Sequence, residues 1–537
     1  MDQTTDRPVR AGLLPIGVRP SPVRPPGTGL APAQPVTARP ARTTYVADRP
    51  MPTDRLRGWL VAVTLAMIGG VLRFYRLGYP TDEGTPVFDE KHYVPQAWQM
   101  VRNGGVEDNP AYELVVHPPL AKQLIALGEM AFGYDGFGWR ATAALAGTIC
   151  VLLIVRIARR MTRSTLLGGI AGVLILSDGV SLVSSRMGML DIFLAVFVLA
   201  AFGALVVDRD DVRARMTVVV AQGRIGESQY GPRWGVRWWR FGAGVLIGMA
   251  CAVKWSGVYW LAAFGLLAVA WDLCLRRAAG VRRPWAGVWV RDVGPALWGL
   301  AAIPVLVYLS SWVPWFASET GTDRHMVGRT IGTGGHWAFM PDALRSLWYY
   351  SGHVLGFHEG LHTPPNPHPW ESKPWSWPMS LRPMLYHYAA DAPPQCGLPD
   401  CVSATMLVGT PALWWLSPVV LGWSLWCTFT RFDWRYAAVL VGYGAGFLPW
   451  FLELERQMYF FYVVPLAPFL ILGVTLGLGE ILGRAGEGPE RRGTGLLVVS
   501  LYVGAAVANF AWLWPILVGN SITEAHWAAE LWMPSWR

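Results

Sequence analysis

The chain has 537 residues, 53% of them hydrophobic and only 15% charged, with 30 Trp and a net charge of +9. That is too apolar and too charge-poor for an ordinary soluble domain, and a membrane is the solvent it fits. The Arg residues gather in the N-terminal tail and in short stretches between apolar runs, where they orient a membrane protein, so a nucleic-acid role is excluded.

Residues 1–55 are rich in Pro and Arg and cannot bury a core, which predicts a disordered cytoplasmic tail. The apolar run starting near Leu56 is long enough to be retained as a signal-anchor helix rather than cleaved as a signal peptide. Residues 56–537 then read as one transmembrane domain, all-α and polytopic, with about eleven spans. These begin near residues 58, 139, 164, 190, 241, 256, 293, 405, 436, 458 and 494. An odd count puts every dense Arg cluster on the cytoplasmic side and leaves two long loops, about 79–138 and 314–404, outside with the C-terminus. Merging the fifth and sixth spans at Cys251 to Ser256 would invert everything downstream, and the basic clusters argue against it.

The first outer loop holds two adjacent carboxylates in Val87-Phe88-Asp89-Glu90-Lys91-His92-Tyr93. Asp89 could simply cap a helix starting at Glu90. Alternatively, one carboxylate acts as general base toward a hydroxyl. Consecutive helical residues point about 100° apart, so Asp89 and Glu90 should have different jobs. Residues 90–102 predict an interfacial helix kinked at Pro95. Next comes His117-Pro118-Pro119-Leu120-Ala121-Lys122, where Pro119 can open a second interfacial helix with Leu120, Leu124, Leu127 and Ala131 on one face. Lys122 there either snorkels to headgroups or is aimed at a ligand.

Arg140, Arg186 and Lys254 fall at or near the outer ends of spans, where a lone cation beside hydrocarbon is costly. A lipid phosphate would partner them through charge-assisted bonds; pairing with Asp191 or another carboxylate is the alternative. In the second outer loop His353, His358, His362 and His368 lack the spacing of a zinc protease. Cys396 and Cys401 are the two cysteines in a polar loop and could form a disulfide there. No phosphate-binding Gly-rich loop or Gly-x-Ser-x-Gly elbow is found.

Taken in order, these segments resemble the protein O-mannosyltransferase family, within the C superfamily of membrane glycosyltransferases (GT-C fold). Phe88 to Tyr93 is similar to its first-loop acidic motif, and His117 to Lys122 to its His-Pro-Pro segment. Ser185-Arg186-Met187-Gly188-Met189-Leu190-Asp191 resembles its Ser-Arg-x-x-x-Leu-Asp stretch, and Ala252 to Gly257 its Val-Lys-Trp-x-Gly turn. Arg140 matches an Arg opening the second span, and Arg456 to Tyr462 an aromatic run near the end. The second outer loop is too short for the β-trefoil domain of eukaryotic members, so a bacterial type is implied, with a polyprenyl rather than dolichyl donor. A heterodimer is not implied.

The resemblance implies transfer of mannose from a polyprenyl phosphate mannose to Ser or Thr hydroxyls of polypeptides outside the plasma membrane. Asp89 would be the base and Glu90 would help hold the acceptor. Lys122, Arg140, Arg186 and Lys254, with His117 and Arg456, would meet the donor phosphate. No cofactor is required, because a single phosphate leaves, though the carboxylates leave divalent metal dependence open. Delivery of acceptors by the secretion machinery is likewise open. Rival expectations are a related transferase acting on a lipid or polysaccharide, and a transporter, for which no internal repeat is found.

Overall fold

The computed structural model describes residues 45–108, 116–390, 396–397, 400–483 and 488–537. Residues 1–44 of the expected tail lie outside the described residues. Residues 45–54 are tied down: Tyr45 Oη donates to the Arg213 carbonyl at 2.8 Å, and Asp48 pairs with Arg209 and Arg213 at 3.0 and 2.8 Å. The structured body therefore begins ahead of residue 55.

The apolar runs become helices α1 (Arg55–Phe74), α4 (Gly138–Thr162), α5 (Thr165–Leu176), α7 (Asp191–Ala221), α8 (Trp238–Val253) and α9 (Gly257–Ala278), with α2 (Glu90–Arg102) and α3 (Leu120–Phe132) in the first loop. A short α6 (Gly179–Ser184) precedes α7. Later helical spans cover Pro284–Ser311, Pro411–Thr430, Phe460–Leu482 and Pro489–Val518. Among the described residues, eight helices are long and apolar enough to cross a membrane. The expected spans near 164, 241 and 436 are shorter, with 12, 16 and 14 residues. At 1.5 Å per residue, α5 covers roughly 18 Å of a hydrocarbon core about 30 Å thick. Among the described residues, a count of eleven full-length spans is thus not confirmed.

Burial orders the bundle. The apolar windows of α7 and of Phe460–Leu482 are 83% and 89% buried, whereas those of α1 and Pro489–Val518 are 22% buried. The first two therefore form the centre, and the last two keep an apolar surface turned outward. Fifth and sixth spans stay separate: Lys254 is extended, with φ −144° and ψ 140°, and ends α8 before α9 starts at Gly257. Several Arg residues expected to serve orientation are also buried pairs, with Arg237 and Arg240 bridging Asp208 and Asp272.

Both first-loop helices form as expected, with Pro95 inside α2 and Pro119 heading α3. On α3, Leu127 is exposed while Lys122, Ile125 and Glu129 are buried, so its polar residues point inward. The second long loop carries regular structure of its own. It holds a helix, Asp342–Glu359, and strands β1 (Met384–Ala389) and β2 (Cys401–Leu407). With β3 (Ser521–Thr523) they make an antiparallel sheet in the order β1-β2-β3, pairing Met384 with Leu407 and Cys401 with Thr523. Cys396 and Cys401 are joined by a disulfide beside it. Among the described residues the protein is mostly helical, with this one small sheet.

Candidate active site

The ends of α1 and α8 and the beginnings of α4, α7, α9 and Phe460–Leu482 meet beneath the first loop. Phe88 adopts φ +51°, a left-handed conformation that a bulky side chain resists by about 1–2 kcal/mol. Its ring is held between Tyr386 and Phe461, at centroid distances of 4.9 and 6.0 Å. This turn delivers Asp89 and Glu90 to opposite tasks. Asp89 occupies the position before α2, yet its side chain makes no capping hydrogen bond; it lines a cavity instead.

Glu90 turns away from that cavity. Its Oε1 accepts from Arg140 Nε at 2.7 Å and from the Gly188 N–H at 2.6 Å, and its Oε2 accepts from Arg140 Nη2 at 2.6 Å. Arg140 also donates to the carbonyls of Leu77 and Pro80 at 3.1 and 2.8 Å. Both side chains are 0% exposed. Gly188 allows the close approach: a Cβ there would stand 3.2 Å from the Trp139 carbonyl and 3.3 Å from Glu90 Oε1. Three separate sequence motifs are thereby joined by one carboxylate. Arg140 is fully engaged and does not line the cavity.

Two more of the expected phosphate ligands are also occupied elsewhere. Arg186 donates to the carbonyls of Leu72, Arg73, Tyr75 and Arg76, satisfying the orphan acceptors at the C-terminal end of α1. Lys122 is 1% exposed and pairs with Glu107. Neither lines the cavity. Lys254, His117 and Arg456 do, together with Asp89.

That cavity measures about 860 Å³, within the range of ligand-binding clefts. Lys254 Nζ bonds Asp191 Oδ1 at 2.8 Å, realising the expected pairing alternative, and lies 5.6 and 5.8 Å from the rings of Phe461 and Tyr462. Arg456 Nη2 reaches His358 Nδ1 at 3.1 Å and Nη1 bonds the His358 carbonyl, while Arg456 Nε is buried without a partner. His358 Nε2 faces the Val116 carbonyl at 3.0 Å, so its proton sits on Nε2. Its ring centre is 5.3 Å from that of His117. Trp450 stacks on Tyr462 at 4.4 Å to complete an aromatic wall.

Burial pushes the Asp89 carboxyl up to about 6, with Lys254 opposing and Asp191 adding to the rise. Burial and the surrounding cations hold His117 well below the ordinary histidine range, and burial with Arg456 lowers His358 to about 4. Both imidazoles are neutral near pH 7, so Lys254 and Arg456 are the Lys and Arg cations on a cavity wall that also carries the carboxylates Asp89, Asp191, Glu359 and Glu453. The site thus brings a poised base, two cations and the neutral imidazole of His117 to one cavity. Among the described residues no group of three or more His, Cys, Asp or Glu is arranged to hold a metal ion. Asp191 and His358 escaped the sequence reading as cavity residues. Asp191 at least ends a recognisable motif, whereas nothing separates His358 from the other loop histidines.

Residues 132–316 match the family described as dolichyl-phosphate-mannose-protein mannosyltransferase, and residues 343–536 match the C-terminal four-helix region of protein O-mannosyltransferase. The chain is 57% identical over 487 residues to a polyprenol-phosphate-mannose–protein mannosyltransferase of Mycobacterium tuberculosis, covering 90% of this chain and 93% of that one. It is 46% identical over 488 residues to the enzyme of that name from Corynebacterium glutamicum, covering 89% and 93%. Among solved structures, the Saccharomyces cerevisiae protein O-mannosyltransferase Pmt1-Pmt2 complex bound to the sugar donor superposes with a TM-score of 0.69 at 16% identity, over 90% of this chain and 93% of that chain. That likeness shows a shared fold, the GT-C fold of membrane glycosyltransferases.

Proposed function

The chain belongs to the protein O-mannosyltransferase family, and we propose that it moves mannose, with inversion, from a polyprenyl phosphate mannose to Ser or Thr hydroxyls of polypeptides. One observation carries the mechanism: Asp89, free of any capping bond, faces the same cavity as Lys254 and Arg456.

Asp89 takes the proton of the acceptor hydroxyl as its oxygen attacks the anomeric carbon. The bond from that carbon to the phosphate oxygen breaks on the opposite face, and the electron pair leaves with the polyprenyl phosphate. Negative charge grows on the phosphate as it departs, so Lys254 and Arg456, placed beforehand on the cavity wall, lower the barrier. His117 contributes a neutral N–H. Glu90, Arg140, Arg186 and Lys122 are positioning residues: Glu90 ties the first loop to Arg140 of α4 and to Gly188 ahead of α7, Arg186 ties that same stretch to the end of α1, and Lys122 joins two parts of the first loop through Glu107. This reading reassigns Glu90 from acceptor holding, and Lys122, Arg140 and Arg186 from phosphate binding. We assign no metal to the step, because one phosphate leaves and two protein cations stand on the cavity wall. Undiminished transfer in a strong chelator is the expected result.

The protein is a multi-pass membrane protein. We place it in the plasma membrane with the N-terminus cytoplasmic and the cavity outside, an orientation supported by the segregation of Arg clusters. Its acceptors would then emerge from the secretion machinery. The test is mannose transfer from purified polyprenyl phosphate mannose to a Thr-rich peptide by the wild type and a folded Asp89→Asn variant. Transfer by the wild type alone supports the reading. Transfer only to a lipid or glycan overturns the acceptor, and an active variant overturns the base.

A further inference from the structure

Asp191 opens α7 in the wall of the cavity and is 3% exposed. One of its oxygens, Oδ1, accepts from Lys254 at 2.8 Å. The other, Oδ2, is buried without any hydrogen-bond partner. A buried carboxylate oxygen with nothing to accept is a costly arrangement, and such groups normally find a donor. Asp191 lines the cavity, so a ligand held there is the neighbouring source of such a donor, reached by a small turn of the buried carboxylate. Asp191 lines the same cavity as Asp89, and its charge acts on that base. Lys254 does not fill the need: it bonds Oδ1 alone and is flanked by the rings of Phe461 and Tyr462.

We propose that Asp191 Oδ2 accepts a hydroxyl of the donor mannose and thereby sets the orientation of the anomeric carbon toward Asp89. The inference rests on the mannosyl-transfer reading. It gives the carboxylate two jobs, holding a cation through Oδ1 and reading the sugar through Oδ2. A sugar lacking the hydroxyl in question would leave Oδ2 stranded, which makes the contact a determinant of donor choice as well as of rate.

The experiment uses the full-length protein and a panel of polyprenyl phosphate donors in which each mannose hydroxyl outside the anomeric centre is replaced in turn by hydrogen. In the wild type, one of these donors should lose about 10- to 100-fold in kcat/KM, the loss expected for a hydrogen bond to a charged group. In Asp191→Asn, the natural donor should fall by a similar factor and the sensitive deoxy donor should show no further loss. Lys254→Met should slow every donor while keeping the deoxy penalty, because Asp191 remains. A wild type indifferent to every deoxy donor overturns the proposal whether or not either variant folds. A deoxy penalty of equal size in Asp191→Asn also overturns it, reducing Asp191 to the holder of Lys254. Failure of the wild type to transfer the natural mannose would instead count against the underlying function.

Discussion

Replacing Arg140 by Met separates a positioning role from a phosphate-binding one. The substitution strands Glu90 at 0% exposure and removes four hydrogen bonds, two to that carboxylate and two to the Leu77 and Pro80 carbonyls. Breaking a buried ion pair from one side costs about 3–5 kcal/mol. The same loss frees the turn that carries Asp89, and a misplacement of about 1 Å in a catalytic group can lower kcat roughly 100-fold. Stability would be read as the SDS fraction at which helicity is lost in mixed micelles, and activity as kcat and donor KM separately. Arg140→Met should unfold early and lose kcat. Adding Glu90→Leu should restore much of the stability, since no buried charge remains unpaired, while kcat stays low. Normal stability in Arg140→Met, with a raised donor KM and unchanged kcat, would refute this and return Arg140 to the phosphate.

The pH dependence follows from Asp89, whose carboxyl is raised from 3.8 to about 6 by burial. The base works as the anion, so kcat/KM should fall as pH drops through about 6, measured over pH 4.5 to 8 at roughly one decade per unit at the acid end. Because the folded value is raised, the neutral form favours folding, and that contribution is lost as pH rises through about 6. Asp89→Asn should therefore melt above the wild type at pH 8 and lose that advantage near pH 4. Lys254→Ala and Arg456→Ala should each lower kcat by about 100- to 1,000-fold in the peptide assay, the scale for a removed charge-stabilising donor. Gly188→Ala should lower both thermal stability and kcat modestly. Its new methyl must displace neighbours at 3.2 and 3.3 Å, one of them the Glu90 carboxylate; an unchanged variant would mean that the Gly188–Glu90 bond does not fix the loop.

Much of the site was legible one residue at a time. The Asp89-Glu90 pair stands out because adjacent carboxylates at a membrane surface demand a reason, and the helical turn of about 100° between them foretold different partners. Lys254 was legible because a cation in an apolar run needs an anion. His117 was visible as a titratable group beside two prolines, but its neutrality was not, since that depends on burial together with Lys254, His358, Lys122 and Arg456 around it. The sheet of β1, β2 and β3 was missed because β3 is only three residues long and lies far along the chain from its partner strand. The three short helical segments were counted as spans because composition registers apolar character more readily than length.

The sequence by itself determined the solvent, the approximate positions of the apolar helices and the family, because hydropathy and ordered motifs are local properties of the chain. Only the tertiary structure decided which cations line the cavity. Arg140 is spent on Glu90, 50 residues away, and Arg186 on the end of α1, 111 residues from Tyr75. Lys254 and Arg456 face a cavity assembled from six separate stretches of the chain. A charge beside hydrocarbon announces that it must be compensated, but whether a protein group or a substrate compensates it is fixed by distances that no local pattern contains.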